Sequence, residues 1–440
     1  MTPISTHPAF ISARPAREMP LRHDLPLRLV KALCSEYWRR SHMLRVPAHR
    51  LDALRVFDLQ LERALAGLKT HLMHAPGLAA ALHAEVDGVC ADLQAPQVAV
   101  FAHAGLHLLT FQAGGTSNLP GELWNESLAR HPQAVFDALR WCFNEPVAAY
   151  LAAGVERTFT ARSETPLATL LMRLGIARPA VSDDFAAEMT RHAGATPGGL
   201  AALCQWRCSA VLDEAKALQA VQDADDENGL WALLLAGHPA AAPLAQQMLQ
   251  RHGDAGLALA VCAAHDSPWL RQAIAAPGTD RVDAGGDGDG LPLAARWYGA
   301  ALLGDISLLR AWANLVDLTD DGACRALADA IALLTGNDAD ALFDPGLDAE
   351  QRRQFLAAVL AEPGTETASA LEGRARRAGR ARDEVLLQDA ALLTGAPLRQ
   401  LLYAEYAART RSPLMVAADE LAMLQVNAVA TASAFETAAR

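Results

Sequence analysis

Leu293–Gly336 reads LAARWYGAALLGDISLLRAWANLVDLTDDGACRALADAIALLTG, and its spacing decides the fold. Leu293, Trp297, Ala300 and Ala301 recur at i, i+4, i+7 and i+8, one face of a helix. Gly304 then tolerates a positive φ, and Asp305 can accept from the free N–H groups that open the next turn. Ile306, Leu309, Ala313 and Val316 mark a second helix. After the polar break Thr319–Gly322, Ala323, Leu327, Ala330, Ile331 and Leu334 mark a third, which stops at Gly336. The unit is helix, tight turn, helix.

That unit recurs through the second half of the chain. Comparable turns fall at Gly237, His265, Gly304, Gly336 and Gly395, in steps of 28, 39, 32 and 59. The 39 contains the Gly/Asp-rich insertion 283–290, and the 59 is twice the others, with a degenerate turn expected near Pro363–Gly364. Pro239, Pro268 and Pro397 sit where a second helix would begin, a position that tolerates proline. A period near 30 built from helix pairs belongs to the α-solenoid group. The expected fold is therefore all-α: an α-solenoid of HEAT-like antiparallel helix pairs over 196–440, behind a helical N-terminal region.

Composition agrees. Of 440 residues 52% are hydrophobic but only 5% aromatic, and the excess is Ala and Leu, which favour helices over strands. The net charge of −12 argues against nonspecific nucleic-acid binding and against an anionic membrane surface. Lysine occurs only at 31, 69 and 216, so nearly all positive charge is arginine, a bias that GC-rich bacterial genomes produce. The seven cysteines are an odd, scattered set that fits core positions in a reducing compartment. No apolar leader opens the chain and no apolar run spans a bilayer, so a cytoplasmic protein is expected.

Five prolines mark residues 1–27 as a poorly ordered arm, and a helical region of 28–195 follows. Within it Leu27–Leu44 and Leu51–Leu68 read as helices, whereas Val98–Phe111 suits a helix or a short strand. RVPAHRLDALRVFDLQL at Arg45–Leu61 and FDLQLERALAGL at Phe57–Leu68 resemble the N-terminal signature of a proteobacterial family of HEAT-repeat proteins of unknown function, found beside type VI secretion genes. Arg50, Leu51, Asp58, Leu65, Gly67 and Leu68 match that signature. Ala48–His49 replaces its His-Tyr pair and Ala64 its histidine. The resemblance implies a repeat scaffold and a secretion-system neighbourhood, and it carries no catalytic residues.

Motifs that could carry chemistry are incomplete. DAGGDGDGL at 283–291 lacks the ligand pattern of a calcium loop and reads as a loop between repeats. His103/His107 and Cys204/Cys208 are spaced to share a helix face, as are His71/His74, but no further metal ligands stand nearby in sequence. Arg374, Arg376, Arg377, Arg380 and Arg382 form a basic run without aromatics, expected as a solvated helix face balanced by Glu372, Asp383 and Glu384. Ser117 lacks a nucleophile elbow, and no lysine sits in a phosphate loop. No catalytic, cofactor or metal residue is assigned, and no cofactor is expected. Trp269, Trp297, Tyr298 and Trp312 are the candidate partner-binding residues, core filler unless one lines an exposed face. The expected function is a non-catalytic scaffold or adaptor for a protein partner, a secretion-system component or effector. The alternatives are a glycosylase-like helical-repeat enzyme and an immunity-type inhibitor.

Overall fold

The structure is a computed structural model. It describes residues 24–44, 50–113, 127, 130–142, 214–225, 227–235, 237–253, 256–276, 291–337, 339, 342, 344, 346–361, 375–410, 418 and 422–439. These residues are almost entirely helical, and the protein is all-α. No helix among them is long and apolar enough to cross a membrane.

The first five helices among the described residues are α1 (Asp24–Met43), α2 (Leu51–His74), α3 (Ala79–Leu93), α4 (Pro96–Gln112) and α5 (Pro132–Cys142). They enclose a core of their own, with Leu33, Leu61, Leu68, Val86, Phe101 and Phe136 at its centre. One expected bound is corrected here and one open reading is decided. Residues 24–27, expected as part of the arm, are helical: Asp24 opens α1 and Pro26 lies in its first turn, where no backbone N–H is needed. Val98–Phe111 is helix throughout: Pro96 sits at its first position, and burial on nearly every face erases the amphipathic period. The family-like signature is structural. Leu65 and Leu68 are core residues, and an added Cβ at Gly67 would lie 2.7 Å from Leu29.

The larger core is built by α6 (Glu214–Ala224), α7 (Glu227–Leu235), α8 (Ala241–Arg251), α9 (Gly256–Ala264), α10 (Pro268–Ala275), α11 (Leu293–Leu303), α12 (Ile306–Ala313), α13 (Asp321–Thr335), α14 (Ala349–Leu360), α15 (Leu387–Leu392), α16 (Ala396–Thr410) and α17 (Ala422–Ala439). Neighbouring helices pair in order, α8 with α9 and α11 with α12. Three turns share one geometry. The N–H groups of Gly237 and His238 reach the carbonyls of Leu234 and Leu233. Asp266 and Ser267 reach Ala263 and Cys262, and Gly304 and Asp305 reach Ala301 and Ala300. This is the Schellman cap, and Gly237, Asp266 and Gly304 all have positive φ. Asp305 caps α12 through the N–H groups of Ser307 and Leu308.

Sequence-distant helices also meet. α16 packs on α9 and touches α7 and α11. Small residues permit close approach: an added Cβ at Gly256 would lie 3.1 Å from Leu401 of α16, and between α11 and its neighbour α10 one at Gly299 would lie 2.8 Å from Ile274. α17 reaches back to α2, where Leu51, Leu54 and Ala422 are buried together. Asp58 fixes that contact. One of its oxygens accepts from Arg40 Nε at 2.6 Å, and the other accepts from the Ala422 N–H at 2.6 Å, at the start of α17.

The arginine run is not a solvated helix face. Arg376–Arg377 and Arg380–Ala381 form a two-stranded antiparallel hairpin, with Ala378 (φ 51°) and Gly379 (φ 72°) as its turn. Its backbone lies against two helix ends: Arg376 N–H donates to Gly304 O, Ala378 to Leu333 O and Gly379 to Leu334 O. Helix C-termini carry unpaired carbonyls and the negative dipole end, so an arginine-rich hairpin fits there. Arg377 and Arg382 are buried, and both reach Leu302 O. The insertion 283–290, Pro363–Gly364, Arg374, Glu372, Ser117, Cys204 and Cys208 lie outside the described residues.

Candidate partner-binding groove

α8 presents Gln246, Gln247 and Gln250 beside Ala242 and Pro243, while its other face buries Leu244, Ala245, Met248 and Leu249. Across from these glutamines lie Cys262 near the end of α9, His265 in the turn and Ser267 at the start of α10. Together they line an open groove of about 420 Å³. The turn fixes its far wall. Asp266 adopts φ 48°, and its carboxylate is bound by Arg382 at 3.0 Å, so His265 and Ser267 are held in place around it. Cys262 is buried, and burial pushes its thiol up to about 12, so it is a neutral floor rather than a nucleophile. Ala242 and Pro243 are apolar, and the polar lining is amide, hydroxyl and imidazole, all able both to donate and to accept hydrogen bonds. No charged side chain lines it.

The four aromatic candidates stand elsewhere in the same region. Trp297 is 1% exposed and donates from Nε1 to Trp312 O at 3.3 Å, so it holds the fold. Trp312 is half-buried under the Arg296 guanidinium, 3.9 Å from the ring centroid, and its Nε1 donates to Ile274 O. Arg296 itself donates to Leu291 O, Ile274 O and Ala276 O, closing the end of α10. Burial, with the Asp329 carboxylate, pushes the Tyr298 phenol well up. Trp269 on α10 is half-buried against the core. The structure therefore joins Trp297, Trp312 and Arg296 in one packed unit. Neither Trp269 nor Tyr298 is part of the groove lining. The groove was missed in the sequence because its glutamines have no distinctive spacing.

The basic run is engaged within the protein. Arg377 pairs with Glu405, Arg380 with Asp389 and Arg382 with Asp266. Of the histidine pairs, His103 and His107 gain neighbours that the sequence did not show: His83 and Asp87 from α3. Among the described residues, no three His, Cys, Asp or Glu side chains are arranged to hold a metal ion. Cys34, Cys90, Cys142, Cys262 and Cys324 are buried free thiols. The chain matches no family model, no curated protein and no solved structure.

Proposed function

We propose that this protein is a non-catalytic scaffold whose C-terminal helix pairs form a HEAT-like array, and that the α8–α10 groove holds an extended segment of a protein partner. The observation that carries this reading is the polar part of the groove lining, three glutamines, a histidine and a serine set beside Ala242, Pro243 and Cys262, with no charged side chain among them. Such groups satisfy the alternating N–H and C=O groups of a peptide main chain without demanding a charged ligand. The resemblance at Arg45–Leu68 points to a partner from a type VI secretion system, a component or an effector, met in the cytoplasm. If that effector is a toxin, the same contact makes the protein an immunity-type inhibitor. The enzyme alternative draws no support from the arginine run, whose Arg377, Arg380 and Arg382 are committed to internal carboxylates.

A stable complex of this kind buries ~1,600 Å² in total, more than the groove alone supplies, so the partner extends beyond it. The test is binding of the purified protein to secretion components and effectors encoded beside its gene. Gln246→Ala together with Gln250→Ala, and separately His265→Ala, should each weaken the complex at least tenfold with the helical signal unchanged. Unaltered affinity in all these variants would remove the groove from the interface, and turnover on damaged DNA would favour the enzyme.

A further inference from the structure

His83, His103, His107 and Asp87 lie together on the outer side of the α3–α4 contact. His103 Nε2 is 2.9 Å from Asp87 Oδ1, and His103 Nδ1 is 2.7 Å from His83 Nδ1. The rings of His83 and His103 are 15° from parallel with centroids 5.0 Å apart. That separation is the nitrogen gap plus the two ring radii, so the rings lie end to end and the N–H···N bond is straight. His107 lies against His83 at 4.4 Å between centroids. The arrangement is a chain, carboxylate to imidazole to imidazole, with a third ring pressed against its end.

Proton counting gives this chain its behaviour. The gap between His83 and His103 holds one proton. With both rings neutral, His103 donates from Nε2 to Asp87 and His83 donates from Nδ1 to His103. One added proton is accommodated: His103 becomes an imidazolium, donating to Asp87 and to His83, whose own proton moves to Nε2. A second added proton on His83 places two N–H groups face to face. The bond is lost, and two cations lie side by side against a third titratable ring.

We propose that the His83–His103 contact is an acid-labile latch between α3 and α4, closed while the pair carries at most one excess proton and opened by the second. The charges that bear on His83 come from α3 and α4 alone, His107 and His103 disfavouring its protonation and Asp87 favouring it; those on His107 come from His103. From the other helices packed here, Lys31 of α1 is paired with Glu85, and Asp137 and Arg140 of α5 are paired with each other. Burial and the neighbouring rings hold His83 down at about 4 and lower His107 as well. A ring that resists protonation in the folded chain weakens the fold as pH falls through 6.5, where the unfolded chain takes up its proton first, and continues to do so down to about 4.

The experiment follows histidine Cε1–H resonances of the full chain between pH 8 and 4, with pulse hydrogen exchange of peptides from 79–112 on the same samples. His83 should titrate at least one pH unit below an ordinary histidine, and the opening of 79–112, exchange divided by the intrinsic amide rate at each pH, should rise at least tenfold between pH 6.5 and 4.5. His83→Gln retains a donor for His103 but takes no proton, so the rise should shift down by a pH unit or more. His103→Gln provides a second check with the same expected shift. An ordinary His83 titration, or variants that open at the wild-type pH, would overturn the latch. So would stoichiometric, submicromolar binding of Zn²⁺ at pH 7.5 that shifts all three rings, since the cluster would then be a metal site.

Discussion

Arg377 is 1% exposed and 3.3 Å from Glu405, itself fully buried and also approached by Arg409. Burial lowers the Arg377 pKa, and the Glu405 carboxylate offsets part of that cost. Such a pair adds little net stability over an apolar pair, but breaking it is expensive, because one charge is left in a low-dielectric site. Glu405→Gln should therefore destabilise the protein by ~3–5 kcal/mol in denaturant unfolding, while the double change Arg377→Met with Glu405→Leu should recover most of the loss. Equal losses in both variants would mean that packing volume rather than charge is what matters. Other arginines close helix ends, Arg296 at α10 and Arg310 at Leu360 O, while Arg399 binds the non-helical carbonyls of Thr394 and Ala418. The planar guanidinium holds five N–H donors in a fixed fork against the three of a compact ammonium, so an arginine bias that looks like genome composition has a structural use here.

At the scale of elements, the helix ends and the arginine hairpin depend on each other. Gly304 has φ 74°, and an added Cβ there would lie 2.5 Å from Arg376 N and 2.7 Å from Arg376 O. Gly304→Ala combines backbone strain with a clash against a backbone that cannot withdraw without losing its hydrogen bond to Gly304 O. It should cost ~2 kcal/mol or more. Gly88→Ala is the contrast: in the middle of α3, with nothing within 4 Å of an added Cβ, it should stabilise by ~0.5–1 kcal/mol. Thermal and urea unfolding of the two variants measure both. At the second Schellman turn Asp266 replaces glycine, because no hairpin backbone leans on it and its carboxylate is held by Arg382 and Arg271.

Across the whole molecule, one carboxylate links the first helices to the last. Asp58 accepts from Arg40 of α1 and from the Ala422 N–H of α17, an amide 364 residues beyond Asp58 in sequence. Asp58→Ala removes the acceptor from an N–H at a helix start that has no intrahelical partner. Amides at 422–425 should then exchange at least tenfold faster, with Asp52→Ala, exposed on the same helix, leaving them unchanged. Unchanged exchange in Asp58→Ala would show that Leu51, Leu54 and Ala422 hold the contact by apolar burial alone. The α9–α16 contact closes a second long loop, so the C-terminal helices do not meet their sequence neighbours only.

Local periodicity and turn chemistry were enough to establish helices, their order in pairs and the glycine turns at 237, 304 and 336, because these depend on residues within a few positions of one another. Trp297, a candidate partner-binding residue by its aromatic character, is core instead, on the same helix face as Ala300 and Ala301. Long-range partners were not legible. ALLTG occurs at 332–336 and again at 391–395. In the first copy Gly336 takes φ 74° and the hairpin covers the helix end. In the second, Gly395 has no positive φ, its N–H donates to Asp329 Oδ1 of α13, and α16 starts at the next residue. The same five residues end two helices differently because the tertiary partner of their free backbone groups differs. The groove, the histidine chain and the hairpin arise in the same way, from side chains and carbonyls that meet only when distant helices pack, and no spacing within one segment encodes that meeting.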